Sequence, residues 1–552
     1  MGVVREGVAA VRPWAMGLAI AVAAMPSLGQ GFDLTDETST SDGGGEILAF
    51  DAFNDLVFGS FNNDNAQGVD YATLDSAGQF GPISSVDFTS YFTSINFDAG
   101  DVTSVDIDPD GRGFGVAAVT EASGGQGIVV FFDTDAKQVL GDLTVGFHPD
   151  MVVIDSAGDT LMVANEGDNA ASANAPGSVS QISLAGFGGG DPSGLGVTTT
   201  DFSGLGSLLE GVRDPEAAMN TATSLPDANN IEPEYIAIQG GKAYVALQEN
   251  NAVAVYDLAS NSFTAVQSLA PNGQVIDASD LDAGITIDDV VVGLPVPDAI
   301  DTFSVGGSTF YVTANEGDFL DSGNDEFRGD DFGVGQGTVG ALDPAYDAAL
   351  DALYGGDWQT HDALGRLTFY NNVGDTDGDG DIDQLRMAGT RSMSVYDDSG
   401  SLVFDTSDLT GFFGLEQWIA ANDPDNWQDG RSDNKGPEPE GVVVGEIDGD
   451  LYAFLNAERT DHLFMFKLLD SGDTSFDPLD VEFIDAFFLE TLESPEGFDF
   501  IDAADSPTGA ALLLVGYEDS GSWAAYTVPE PASLALLAAG ATLMMSRRQR
   551  AA

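Results

Sequence analysis

The chain has 552 residues, with 91 acidic side chains against 17 lysines and arginines and a formal net charge of −74. Nucleic acid and anionic membrane surfaces would repel such a chain, so neither is expected as a partner. Hydrophobic residues make up 43%, enough for a packed core, and the absence of cysteine rules out disulfides and thiolate sites.

The first segment, "MGVVREGVAAVRPWAMGLAIAVAAMPSLGQG", carries Arg5 and Arg12, then an apolar stretch around Met16 to Met25, then small residues. This predicts a secretory signal over residues 1–30, cleaved near Gly29, followed by a linker over 31–45.

Beyond the linker the chain repeats itself. Copies lie at 46–75, 102–133, 148–184, 232–258, 296–319, 436–468 and 494–528, seven in all, the first being the weakest. In each, a run of alternating apolar residues leads to a Gly/Asp/Ser turn. A second run rich in Val, Ala, Phe and Tyr follows, then a polar loop and a third run. Period-two alternation with turn punctuation marks antiparallel strands. Three or four strands per unit in seven units predict an all-β, seven-bladed β-propeller of the YVTN/WD40-like type over 46–528, with an open β-solenoid as the alternative.

Three stretches break the spacing. The connection 185–231 contains "LLEGVRDPEAAM", which predicts a short helix. Residues 269–295 contain "DASDLDAGITIDD". The longest excursion, 319–390, is an insertion in one repeat, after which "RSMSVYDDSGSLVFD" supplies that unit's third and fourth strands.

In a propeller, the loop entering the first strand of a blade and the loop leaving the second emerge on one face. The acids before strand one are Asp150, Glu234, Asp298, Glu440 and Glu496; those after strand two are Glu166, Glu249, Glu316, Glu458 and Glu518. All ten are expected to converge around the mouth of the axial channel, with Asp168, Glu232, Asp318, Glu438 and Asp461 close by. Crowded carboxylates repel one another unless neutralised. Hard cations do this best, Ca²⁺ first and Mg²⁺ second. Arg213, Arg328, Arg391, Lys435, Arg459 and His462 lie in or near the same loops and could do it instead. Three readings follow: a static ring of ion pairs, a metal-binding ring, or a ring open to a cationic ligand.

A separate acidic loop is "DTDGDGDID". Asp375, Asp377 and Asp379 stand at positions 1, 3 and 5 of an EF-hand-like loop, with Gly380 at the turn, Asp381 after it and Asp383 at position 9. Arg386 stands at position 12 in place of the bidentate glutamate, and the flanks read as strands. The expectation is a stand-alone DxDxDG calcium loop that pins the insertion. Asp277, Asp280 and Asp282 in "DASDLD" form a weaker candidate.

Conventional catalytic motifs are absent. The histidines, His148, His361 and His462, are scattered, and there is no HExxH, no G-x-S-x-G and no P-loop. His462, beside the expected ring, is the one with a possible role there.

The C-terminal stretch "VPEPASLALLAAGATLMMSRRQR", residues 528–550, joins a VPEP motif, an apolar run and a basic tail. The apolar run is short against the ~20 residues of a membrane span. The stretch resembles the PEP-CTERM sorting signal of Gram-negative bacteria. That resemblance implies recognition by an exosortase, transient anchoring through the tail, and delivery to the cell surface or an extracellular matrix.

"LQENNAVAVYDL", "DASDLDAGITI", "PDAIDTF", "ANEGD", "GDTDGDGDIDQL", "RSMSVYD" and "DNKGPEPEGVVVG" resemble, in that order, the choice-of-anchor I family of bacterial surface proteins, over roughly 100–530. The resemblance implies a seven-bladed YVTN-like propeller with a C-terminal sorting tag. It also implies kinship with mesenchyme-specific cell-surface glycoproteins of animals, which are associated with calcium biomineralisation. Some relatives are described as atypical alkaline phosphatases.

Three functions are therefore expected, in descending order. The first is an exported, non-enzymatic calcium-binding surface or matrix protein, with extracellular polysaccharide or surface proteins as partners. The second is a metal-dependent phosphoesterase in which Arg391, Lys435 or Arg459 grips phosphate. The third is a metal-free propeller that binds protein or glycan.

Overall fold

The computed structural model describes residues 32–39, 45–63, 66–167, 175–217, 225–282, 284–320, 325–332, 341–407, 414–489 and 491–528. The expected signal over 1–30, the expected sorting segment beyond Val528 and Asp168 lie outside the described residues.

The alternating runs fold as antiparallel sheets. Among the described residues, seven sheets have four strands each, and in six of these the strands follow in chain order. The innermost strands are Leu48–Asp51, Ala99–Ile107, Pro149–Ile154, Pro233–Gln239, Ile300–Val305, Val442–Ile447 and Pro495–Ile501. Each packs against the next, and the last returns to the first, so the succession closes on itself. An open solenoid has no such return. The fold is a β-propeller, all-β in its body.

Burial follows the same plan. Each junction between successive sheets has its own apolar cluster, and no single core serves the molecule. Phe58, Phe88 and Phe132 fill the first junction, and Leu48, Val57, Leu512 and Trp523 fill the last. An isolated four-stranded sheet would leave both faces wet; stacking its neighbours on either side removes that exposure. Three inner-strand acids stitch the junctions. Asp106 accepts from Ile154 N at 2.6 Å, Asp301 accepts from Val444 N at 2.7 Å, and Asp499 bonds to the backbone of Phe50. Each thereby satisfies an edge N–H of the following sheet's inner strand.

One expectation changes at the N-terminal side. Residues 33–39, read as linker, form a strand that pairs antiparallel with Ser522–Thr527 as the outer edge of the last sheet. The weak first repeat is complete, with strands Leu48–Asp51, Leu56–Asn63, Ala66–Thr73 and Ser84–Asp87.

The irregular stretches also have a definite form. Ser392–Asp397 and Leu402–Asp405 complete the fifth sheet after its second strand, Ser308–Asn315. Asn272–Ile276 and Asp289–Leu294 pair with each other, and the latter pairs in parallel with Met387–Ala388. The excursions at 269–295 and 319–390 are thus one folded unit. Its own core includes Ile276, Val291, Trp358, Phe369 and Ile382. The helix Pro344–Leu353 joins it, capped by Asp343, whose carboxylate accepts from Ala345 N and Tyr346 N. In 185–231, the expected helix reduces to a 3-10 turn over Gly206–Leu209; the end of "LLEGVRDPEAAM" lies outside the described residues.

Candidate functional site

Five of the inner strands are entered through the same tripeptide: a residue, a proline, an acid. They are His148-Pro149-Asp150, Glu232-Pro233-Glu234, Val296-Pro297-Asp298, Glu438-Pro439-Glu440 and Ser494-Pro495-Glu496. Proline pushes the residue before it out of the right-handed helical region. In four of the five that residue takes the left-handed conformation instead: His148 (φ 44°), Val296 (φ 48°), Glu438 (φ 52°) and Ser494 (φ 57°). For a non-glycine residue this costs about 1–2 kcal/mol. A main-chain clip opposes the cost. Glu166 N donates to His148 O at 2.8 Å, Glu458 N to Glu438 O at 2.9 Å, Glu518 N to Ser494 O at 2.9 Å and Gly317 N to Val296 O at 3.2 Å. The clip ties the end of strand two to the entrance of strand one and brings the two sets of acids together.

Buried asparagines hold the same loops. Asn456 accepts from Glu440 N (3.0 Å) and Gly441 N (2.7 Å) while donating to Pro495 O (2.6 Å) and Glu496 O (2.8 Å), so it joins two successive sheets. Asn250 accepts from Glu232 N at 3.0 Å, and Asn251 accepts from Val296 N at 2.9 Å.

The result is a cavity of about 210 Å³ at the axial mouth, lined by the carboxylates of Glu46, Asp150, Glu234, Asp298, Glu316, Glu440 and Glu496 together with Gln248 and Tyr235. All five acids that precede strand one line it. Of the acids that follow strand two, only Glu316 does. Glu166 turns to an ion pair with His148, Glu458 pairs with Arg459 at 2.5 Å, Glu249 lies half-buried near Glu232 and Asp318, and Glu518 is exposed at the rim near Glu46 and Glu496.

Burial is the main electrostatic fact, and mutual repulsion adds to it. Asp150 is pushed up to about 7 by burial and by Glu166. Glu46 reaches about 7 by burial, Glu518 and Asp101. Glu234, Asp298, Glu440 and Glu496 rise well above the carboxylate range through burial and then one another's charge. Glu440 Oε2, Glu496 Oε2 and Glu249 Oε2 are removed from solvent without a hydrogen-bond partner. One oxygen each of Asp298, Glu316 and Glu440 lies within 4.8 Å of the others. All-carboxylate donors with orphaned, inward oxygens suit a hard divalent cation. A cavity of this size suits the larger, more loosely coordinated Ca²⁺ better than Mg²⁺, which demands a tight octahedron.

The basic residues divide. Lys435 Nζ reaches Glu316 at 2.5 Å, Glu438 at 3.2 Å and Asp318 at 3.3 Å, and Arg459 lies 3.4 Å from Glu438. Burial works against the Glu438 carboxylate, yet Lys435, Arg431 and Arg459 outweigh it and hold Glu438 below its ordinary range. Arg391 is elsewhere. Fully enclosed, it donates to Glu416 (2.5 Å) and to the carbonyls of Asp277 (3.0 Å), Ser432 (2.8 Å) and Asn434 (3.0 Å), which makes it a pin of the excursions. Arg213 and Arg328 likewise pair with Asp325 and Asp433. His462 also departs from expectation. It opens the third strand of its sheet, bonds through Nδ1 to Thr460 O at 2.5 Å, and packs among Trp418, Phe464 and Phe488. Burial lowers its pKa. The histidine at the ring is His148, which burial would lower but Glu166 holds above its usual value.

The DxDxDG loop is built differently. Asp375 accepts from Gly378 N (2.6 Å) and Gly380 N (3.1 Å), Asp377 from Asp379 N (3.2 Å), and Asp379 from Asp381 N (3.2 Å). Thr376 donates to Asp383 through N and Oγ1, both at 2.7 Å, which lowers the Asp383 pKa. Partial desolvation and Asp379 push Asp381 up to about 6. Asp375, Asp377 and Asp383 bring an oxygen each within 4.8 Å, with Asp377 exposed and the other two half-buried. Strands Thr368–Tyr370 and Met387–Ala388 flank the loop, and Arg386 at position 12 is enclosed beside Tyr346. Asp280 of the weaker candidate is bound to Arg366 at 2.7 Å.

Residues 46–471 match the choice-of-anchor I domain. The chain belongs to the choice-of-anchor I domain family. Solved structures similar to this choice-of-anchor I chain include hydrazine synthase of Kuenenia stuttgartiensis, at 11% identity over 89% of this chain and 98% of that one with a TM-score of 0.43. The periplasmic gluconolactonase PpgL of Pseudomonas aeruginosa is similar at 12% identity over 82% and 86% of the two chains, TM-score 0.39. The β-propeller domain of Cps50 (Swd1) from Myceliophteria thermophila is similar at 9% identity over 90% and 100%, TM-score 0.38. Among curated proteins none matches the chain. No helix among the described residues is long and apolar enough to cross a membrane.

Proposed function

We propose that this choice-of-anchor I chain is an exported, seven-bladed propeller of the cell surface or extracellular matrix that binds calcium at its axial carboxylate ring and at the DxDxDG loop, in a binding or structural role without turnover. The observation that carries the reading is the orphaned pair Glu440 Oε2 and Glu496 Oε2, buried in a cavity walled by seven carboxylates. Unpaired charge in such a place is costly by several kcal/mol, and a divalent ion removes the cost. Asp150, Glu234, Asp298, Glu316, Glu440 and Glu496 would hold the axial ion, and Asp375, Asp377, Asp379 and Asp383 the loop ion. The family, the secretory signal and the PEP-CTERM-like tail support export and exosortase sorting, with an acidic polysaccharide or a surface protein as the ligand presented to the calcium-loaded face.

The phosphoesterase alternative loses support in one respect: Arg391, one of its three phosphate grips, is enclosed and committed to Glu416 and three carbonyls. The deciding experiment is metal analysis of the purified protein after equilibration with calcium, alongside D298N/E440Q and D375N/D383N. Loss of one ion in the first double variant and another in the second is expected. A wild type that retains no calcium sinks the reading, and calcium-dependent phosphomonoesterase activity would sink its non-enzymatic part.

A further inference from the structure

Lys435 is placed as an ion would be. Its Nζ has three carboxylate neighbours, Glu316 at 2.5 Å, Glu438 at 3.2 Å and Asp318 at 3.3 Å, and its side chain is only 12% exposed. A lysine ammonium is a compact, strongly hydrated point charge with three donors, the nearest a side chain comes to a bound hard cation. Glu316 is the wall shared with the axial ring: an oxygen of it lies within 4.8 Å of Asp298 and Glu440, and its Oε2 also accepts from Gln248 at 2.6 Å. The three partners are not equally dependent on the lysine. Glu438 has Arg431 and Arg459 as well. For Glu316 and Asp318, Lys435 is the only ion-pair partner among the described residues. Asp318 is 40% exposed on its side chain, so the pocket has a way to solvent.

We propose that Lys435 is a tethered cation: its ammonium group occupies a divalent-ion subsite formed by Glu316, Asp318 and Glu438 beside the axial ring, and so limits how many ions this face takes up. The inference rests on the axial ring binding calcium. Removing the ammonium leaves two acidic groups uncompensated next to a third, Asp298, and a divalent ion entering from the Asp318 side is the available replacement. Restoring a cation on the same tether, as arginine, closes the subsite again.

The test uses the full chain, equilibrated at fixed free calcium and analysed for bound metal, with melting followed in calcium and in chelator. K435M is expected to hold one more calcium per chain than the wild type and to show a wider gap between its two melting temperatures. K435R is expected to keep the wild-type count. A K435M protein with the wild-type count and the wild-type gap overturns the proposal. So does a K435M protein that folds in neither buffer while K435M/E316Q folds, since calcium then cannot stand in for the ammonium. D298N/E440Q reports separately on the ring: if it keeps the wild-type count, the axial reading fails whatever K435M does.

Discussion

The axial ring and the DxDxDG loop are both clusters of carboxylates, yet they are made in opposite ways. The loop draws Asp375, Asp377, Asp379 and Asp383 from nine consecutive residues, and its own backbone N–H groups already satisfy much of their hydrogen-bonding capacity. It is exposed, and solvent screens what repulsion remains. The ring draws its acids from strands spread between Glu46 and Glu496, sets them half-buried around one cavity with Glu316 buried, and leaves oxygens of Glu440 and Glu496 unpartnered. A local loop can be acidic at little cost; a buried ring assembled from distant strands carries its electrostatic strain into the stability of the whole propeller.

The largest expected effect is of pH on stability, and it comes from desolvated carboxyls: the ring acids Asp150 and Glu46, raised to about 7, and the inner-strand acids that stitch the sheet junctions. Asp106 rises from 3.8 to about 7, and Asp301 and Asp499 to about 6, each by burial. A carboxyl whose pKa is higher folded than unfolded favours the fold while protonated. Its contribution is complete below pH 4 and is lost as pH climbs through the folded value. For Asp106 alone the span corresponds to about 4 kcal/mol. In chelator, melting temperature should fall steadily from pH 4 to pH 8. Calcium should flatten the part due to ring acids such as Asp150 and leave the part due to Asp106. A flat profile in chelator would erase the contrast between the two regions.

Next in size is the calcium response itself. At a free calcium concentration a hundred times the dissociation constant, a ring ion stabilises by about 2.7 kcal/mol. D298N/E440Q should lose that response and, in chelator, melt above the wild type because repulsion is relieved. Calorimetric melting of both proteins with and without calcium reads this directly.

Smaller again is the asparagine pin. N456A removes bonds to Glu440 N, Gly441 N, Pro495 O and Glu496 O, and should cost about 1–3 kcal/mol of stability while weakening only the axial ion in calorimetric titration. Equal weakening at the loop would mean that the two sites are coupled. The smallest effect belongs to the loop: D375N/D383N should abolish one ion yet shift global stability by less than about 1 kcal/mol, with faster amide exchange confined to the excursion unit.

Much of this was legible in the residues. The repeat grammar carries the sheets, and the recurring proline before an acid carries five of the ring positions. Glu46 escaped because Gly45 stands before it where those five acids follow a proline, leaving no shared letters. The N-terminal strand escaped because "DLTDETS" is a polar outer edge with no apolar alternation to read. His462 departs from expectation because nearness to Glu458 along the chain is not nearness in space. The chain turns at Asp461 (φ 57°) and starts a strand, which carries the imidazole into an aromatic cluster of its sheet. The fusion of the two excursions depends on pairing between residues nearly a hundred positions apart, and no local pattern announces that.

The strand at 33–39 paired with 522–527 acts as a clasp whose two halves come from opposite ends of the polypeptide. A circle fastened this way cannot close until almost the entire chain is available, and such distant pairing is kinetically slow. Calcium affinity at the axis would then appear abruptly, with closure, and not grow as strands are added.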